Sequence, residues 1–115
     1  MLVTESLKKN HQFRLVYNRG KSIANRHLVM YILPNGKNYN RLGISVSKKV
    51  GKSVVRSRVT RLIKENYRLS EKEFKTGFDI VVIARVSANA SPFDEIHKSF
   101  HHLIRKHSLF ISNSL

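Results

Sequence analysis

Arg41-Leu42-Gly43-Ile44-Ser45-Val46-Ser47-Lys48-Lys49-Val50-Gly51-Lys52-Ser53-Val54-Val55-Arg56-Ser57-Arg58-Val59-Thr60-Arg61 changes its period in the middle, and that change decides the fold class. Arg41 to Ser47 alternates with period two, which predicts a strand. Leu42, Ile44 and Val46 face the core and Arg41, Gly43, Ser45 and Ser47 face outward. A glycine turn follows at Lys48 to Lys52. Beyond it Val55, Val59, Leu62 and Ile63 recur at i, i+4, i+7 and i+8, the stripe of an amphipathic helix. Ser53 is the expected N-cap, and Arg58, Arg61, Lys64 and Arg68 occupy the polar side.

Downstream, Gly77 to Arg85 contains Ile80-Val81-Val82-Ile83-Ala84. It is apolar on both faces, which marks a central strand. A last helix opens with Ser91 as cap, Pro92 at the first position and Asp94 and Glu95 in the first turn. Its core stripe is Ile96, Phe100, Leu103 and Ile104. Upstream, His27 to Leu33 reads as a strand, with Leu28, Met30 and Ile32 on one side and His27, Val29 and Tyr31 on the other. Pro34-Asn35-Gly36 ends it as a turn. Lys21 to Asn25 is a candidate short edge strand. A first helix runs from Asn10 as cap through Phe13, Val16 and Tyr17 to a stop at Gly20. The order predicts an α+β sandwich with helices packed on a small sheet.

The 115 residues fit one domain, and 41% hydrophobic composition supplies one modest core. Lys and Arg number 22 against 7 Asp and Glu, a net charge of +15 that points to an anionic partner, nucleic acid first. Cys is absent, which excludes disulfides and thiolate chemistry and fits a reducing, cytoplasmic interior. MLVTESLKKN has no long apolar run, so no secretory signal is expected. No stretch reaches the ~18–20 apolar residues of a membrane span.

From Arg41 to Arg68 there are nine basic residues and one acid, Glu65. A merely solvated face mixes its signs, and this one does not. Arginine offers planar bidentate donors to phosphate, and a helix N-terminus adds backbone N–H groups. Phe13, Tyr17 and Tyr31 lie beside an outward strand face made small and polar by Gly43, Ser45 and Ser47. A groove of that kind suits single-stranded nucleic acid, whose bases stack on rings. Periodicity alone leaves Phe13 open between that role and anchoring its helix to the sheet. His97 and His101 at i, i+4 lack a third ligand of suitable spacing, so a metal site is not expected. No acid pair, nucleophile motif or phosphate loop is present, and protein-borne catalysis is not expected.

Leu7-Lys8-Lys9-Asn10-x-x-Phe13 and Gly20-x-Ser22-x-Ala24-Asn25-Arg26 resemble the N-terminal half of the bacterial ribonuclease P protein subunit family. Arg41 to Arg61 resembles its signature, and Asp79 to Arg85 with the final helix fits as well. The resemblance covers nearly the whole chain. It implies one RNA-binding domain over residues 1–115, an α-β-β-β-α-β-α sandwich with a four-stranded sheet and a left-handed βαβ crossover. Right-handed crossovers are the default, so pattern alone predicts the opposite hand. It further implies that a catalytic RNA hydrolyses precursor tRNA to release the 5′ leader. Mg2+ is then held mainly by that RNA, and this chain supplies no catalytic or metal-ligating residue. The implied partners are the catalytic RNA and precursor tRNA, with no membrane and no obligate protein partner.

By position, the family's Arg-Asn-Arg motif falls on Arg56-Ser57-Arg58, and Arg61 continues it. Ser57 replaces the usual Asn, and Thr60 stands where Lys or Arg is usual. The implied catalytic-RNA contacts are Lys48, Lys49, Lys52, Arg56, Ser57, Arg58, Arg61, Lys64 and Arg68. The implied leader cleft is Phe13, Tyr17 and Tyr31 with Ser45 and Ser47. A small basic ribosomal or other structured-RNA-binding protein is the alternative on charge and build. It would co-sediment with ribosomes and leave precursor-tRNA cleavage unstimulated. A protein-only endonuclease would need an acidic metal cluster, and a DNA-binding module would prefer duplex DNA.

Overall fold

Five strands form one mixed sheet in the computed structural model, which describes residues 4–111. They are β1 (Glu5–Ser6), β2 (Lys21–Ala24), β3 (Leu28–Pro34), β4 (Arg41–Ser45) and β5 (Phe78–Ala84), in the order β1-β4-β5-β3-β2. Three α-helices flank it: α1 (Asn10–Arg19), α2 (Ser53–Ser70) and α3 (Phe93–Lys106). The α+β sandwich is as expected, but the sheet has five strands rather than four. The fifth is β1, whose two residues pair in parallel with Arg41 and Leu42. So short a segment carries no readable period.

β5 is the centre. It runs antiparallel to β3, from Leu28↔Ala84 to Pro34↔Phe78, and parallel to β4, from Arg41↔Asp79 to Ser45↔Ile83. Its two faces are both covered, as the unbroken apolar run predicted. Ile80 and Val82 point into the main core with Leu28, Met30 and Ile32, beneath Val59 and Ile63 of α2 and Phe100, Leu103 and Ile104 of α3. Val81 points the other way, into a smaller cluster with Leu7 and Val16 of α1. Each such fully buried aliphatic side chain stabilises the fold by about 1.5–3 kcal/mol. All four residues of the α3 stripe are fully buried.

Gly43 departs from the expectation of an outward face. It is buried, because α1 lies across that side of the sheet. A Cβ there would stand 2.7 Å from two ring carbons of Phe13 and 3.1 Å from the Leu7 Cβ. Only glycine admits so close an approach. Ser47 lies beyond the end of β4 and is exposed, with its carbonyl accepting the Val50 N–H at 3.0 Å. Arg41 also is not a free outward cation. Its guanidinium binds the buried Asp79 carboxylate through Nε at 2.8 Å and Nη2 at 2.7 Å.

Each expected helix cap moves by one residue. Lys9 replaces Asn10 at the start of α1, because its carbonyl already accepts the Gln12 and Phe13 N–H groups and its own N–H donates to the Gln12 side chain. Lys52 replaces Ser53, since the Arg56 N–H reaches the Lys52 carbonyl at 2.9 Å and makes Ser53 the first helical residue. Pro92 replaces Ser91, whose hydroxyl instead donates to the Ser87 carbonyl at 2.9 Å.

Candidate nucleic-acid interface

Two surfaces emerge, one on each side of β4. On the α1 side, Phe13 and Tyr17 sit one helical turn apart and their rings approach to 6.3 Å. Tyr31, on β3, meets Tyr17 edge-on at 5.1 Å. Phe13 and Tyr31 are half-buried against Leu7, Val16 and Val81, whereas Tyr17 stays 37% exposed. Burial raises the Tyr17 phenol above its ordinary value, and the Ser45 side chain beside it works in the opposite sense. The phenol is thus neutral and keeps its proton to donate. Phe13, Tyr17, Tyr31 and Ser45 neighbour one another in turn to make an aromatic wall, and Gly43 lies buried beneath the Phe13 ring. Ser47 is exposed two residues further on, past the end of β4.

On the other side, the glycine turn carries Lys48, Lys49 and Lys52, all exposed. Val50 is buried and fastens the turn to the main core, so the lysines project from an anchored loop. Along α2 the arginines divide by partner. Arg58 reaches sideways, its Nη2 donating to the Ser91 carbonyl at 2.7 Å, and so clamps α2 to the segment before α3. Arg68 pairs with Glu65 at 2.7 Å, which raises the guanidinium pKa and lowers that of the carboxyl. Arg61 and Lys64 are exposed with no recorded side-chain partner among the described residues. Arg56 is half-buried, and its Nε is a buried donor without an acceptor among the described residues.

A groove of about 530 Å³ opens between this stretch of α2 and β4. Ile44 and Val46 line it from the sheet side, with Arg56, Ser57, Arg61 and Lys64 from the helix. Sequence patterning assigned Ile44 and Val46 wholly to the core. They pack against it, yet each also shows a face to the groove. An alternating strand pattern has no mark for such double use. Ser53 and Thr60 line the groove as well, and the Thr60 hydroxyl is bonded to the Arg56 carbonyl at 2.8 Å.

Three of the histidines are built into the packing. His97 Nδ1 meets the Asn66 side chain at 2.8 Å, His101 Nε2 meets the Ser70 hydroxyl at 2.8 Å, and His107 Nε2 donates to the Met30 carbonyl at 2.9 Å. These contacts join α2 to α3 and α3 to the sheet. The residues do not fit a magnesium site. Among the described residues no three His, Asp or Glu side chains gather, while Asp79 and Glu65 are each engaged by an arginine.

The ribonuclease P family model matches residues 1–108. The ribonuclease P protein component of Clostridium perfringens is 56% identical over 111 residues, spanning 90% of this chain and 89% of that protein. The Staphylococcus aureus RNase P protein structure superposes with a TM-score of 0.86 at 38% identity, over 91% of this chain and 96% of that one. The Thermotoga maritima RNase P protein gives 0.82 at 32% identity, over 89% and 96%.

Proposed function

Because the chain belongs to the ribonuclease P protein family, we propose that its two surfaces divide the RNA between them. The protein is the non-catalytic subunit of the ribonuclease P ribonucleoprotein, and it aids the RNA-mediated cleavage that removes the 5′ leader from precursor tRNA. In our reading the basic strip of Lys48, Lys49, Lys52, Arg56, Ser57, Arg61 and Lys64 lies on the catalytic RNA. Arg58 and Arg68 border that strip, and their charge adds to its field. The wall of Phe13, Tyr17, Tyr31 and Ser45 takes the single-stranded leader, with Ser47 at its far end. Mg2+ in the holoenzyme is held mainly by RNA. Residues 1–115 act as one RNA-binding domain in the cytoplasm, with no obligate protein partner. The β4-α2-β5 connection has the left-handed sense that the family resemblance implies.

One observation carries the division. The three rings gather on the α1 face of the sheet, and the unpaired cations gather on α2, across β4 from them. An unpaired leader can stack on rings, whereas a folded RNA offers mainly phosphate to cations. Stacking is worth about 1–3 kcal/mol per base, so Tyr31→Ala is expected to weaken precursor tRNA binding about tenfold. Affinity for the catalytic RNA and for mature tRNA is expected to hold. The measurement compares precursor with mature tRNA on reconstituted holoenzyme. Equal losses for both substrates would remove the leader from the aromatic wall.

A further inference from the structure

The groove between β4 and α2 has a composition that phosphate binding alone does not require. Its sheet side is aliphatic, Ile44 and Val46. Its helix side carries three cations, Arg56, Arg61 and Lys64, and no acid. The Arg56 Nε is a buried donor with no acceptor among the described residues, and such donors are rare unless a ligand completes them. The sheet edge adds a second pair of groups. β1 ends at Ser6 and pairs only with Arg41 and Leu42, so among the described residues the edge of β4 opposite β5 carries no strand beyond Leu42. The Leu42 carbonyl accepts the Leu7 N–H on that edge. Alternation along a strand turns the Ile44 backbone N–H and C=O to the same side. The site therefore joins an apolar surface, a backbone donor and acceptor, and a cluster of positive charge.

We infer that this groove seats one unpaired nucleotide of the catalytic RNA. The base lies against Ile44 and Val46 at the open edge of β4, and its phosphate is held by Arg56, Arg61 and Lys64. A volume of about 530 Å³ has room for a whole nucleotide rather than a phosphate alone. The charge selects an anion, and the aliphatic surface selects one with a flat apolar part. The inference rests on the basic strip being the catalytic-RNA face and adds what occupies its centre.

The test fills the groove without altering its charge. Ser57 and Ser53 are exposed on its helix wall, so Ser57→Trp and Ser53→Trp place an indole there with little demand on the core. Catalytic-RNA affinity is measured from 50 to 200 mM salt, with Arg61→Ala alongside, and base-reactive probing maps the RNA in each complex. The expected result is about tenfold weaker binding for both tryptophan variants, with the salt slope of the wild type. One unpaired base is protected by the wild type and reactive again with Ser57→Trp. Wild-type affinity in both tryptophan variants, or no base protected by the wild type, overturns the seated nucleotide while a flattened slope for Arg61→Ala leaves the basic strip standing. An unchanged slope for Arg61→Ala overturns both.

Discussion

Gly43→Ala adds one methyl group at the point where α1 comes nearest the sheet. The new carbon would lie 2.7 Å from two ring atoms of Phe13 and 3.1 Å from Leu7 Cβ. Carbon atoms rest at about 3.5–4.0 Å, so the ring must withdraw by roughly 1 Å. Overpacking of this size costs about 1–3 kcal/mol. For a domain of this length that is a melting temperature lower by roughly 4–12 °C. The ring that moves is also the first of the aromatic wall, so precursor tRNA affinity is expected to fall while mature tRNA affinity holds. Phe13→Leu removes the offending ring edge. In the double variant the methyl group then costs little, and a double-mutant cycle on urea unfolding gives a coupling of about 1 kcal/mol or more between the two sites. A Gly43→Ala protein that melts with the wild type, or strictly additive single effects, would refute the argument that α1 is seated by this contact.

Asp79→Ala leaves Arg41 without its bidentate partner and Asn35 Nδ2 without the oxygen it meets at 3.0 Å. The expected loss is about 3–5 kcal/mol, toward the lower end because Arg41 keeps some access to water, and a loss under about 1 kcal/mol in urea unfolding would contradict it. Arg58→Ala is expected to lower stability by about 1.5–3 kcal/mol through the lost Ser91 contact, whereas Arg61→Ala stays within about 0.5 kcal/mol; equal melting curves for the two would dissolve the distinction. Burial holds the imidazoles of His101 and His107 below their ordinary 6.5. The unfolded chain therefore protonates first, so stability is full above about pH 6.5 and declines as the pH falls below it. Replacing both with Gln is expected to flatten melting temperature against pH between 7 and 5, and an undiminished slope would exclude them as its source.

The elements legible in the sequence are those whose pattern reports their surroundings directly. β5 declared itself central by being apolar on both faces, and α3 declared its buried stripe and its dipole-matched ends. The caps were legible to one residue, because short polar side chains mark a neighbourhood while backbone hydrogen bonds choose the residue. Gly43 was misread as outward-facing because a glycine has no side chain to register burial, and its cover, α1, comes from far along the chain. Arg41 looked like one more exposed cation, since Asp79 meets it only across the β4-β5 ladder. For the candidate interface, residue types and the family resemblance named the cations and the rings. Which cations are already partnered inside the protein, Arg58 and Arg68, needed coordinates.

The insertion of β5 between β3 and β4 sets an order of events on the ribosome. β3 and β4 follow each other in the chain, yet they are separated in the sheet by a strand synthesised after α2. At ~5–20 residues per second, β4 waits on the order of seconds for its neighbour. During that interval β2 and β3 can close as a local hairpin, but β3 and β4 each present an open edge. α2 is complete by then, with its cations in place and no sheet behind it. A chain truncated before Ala84 therefore carries the RNA-binding charge of this protein without the fold that positions it, and is prone to aggregation with nucleic acid rather than fit for assembly.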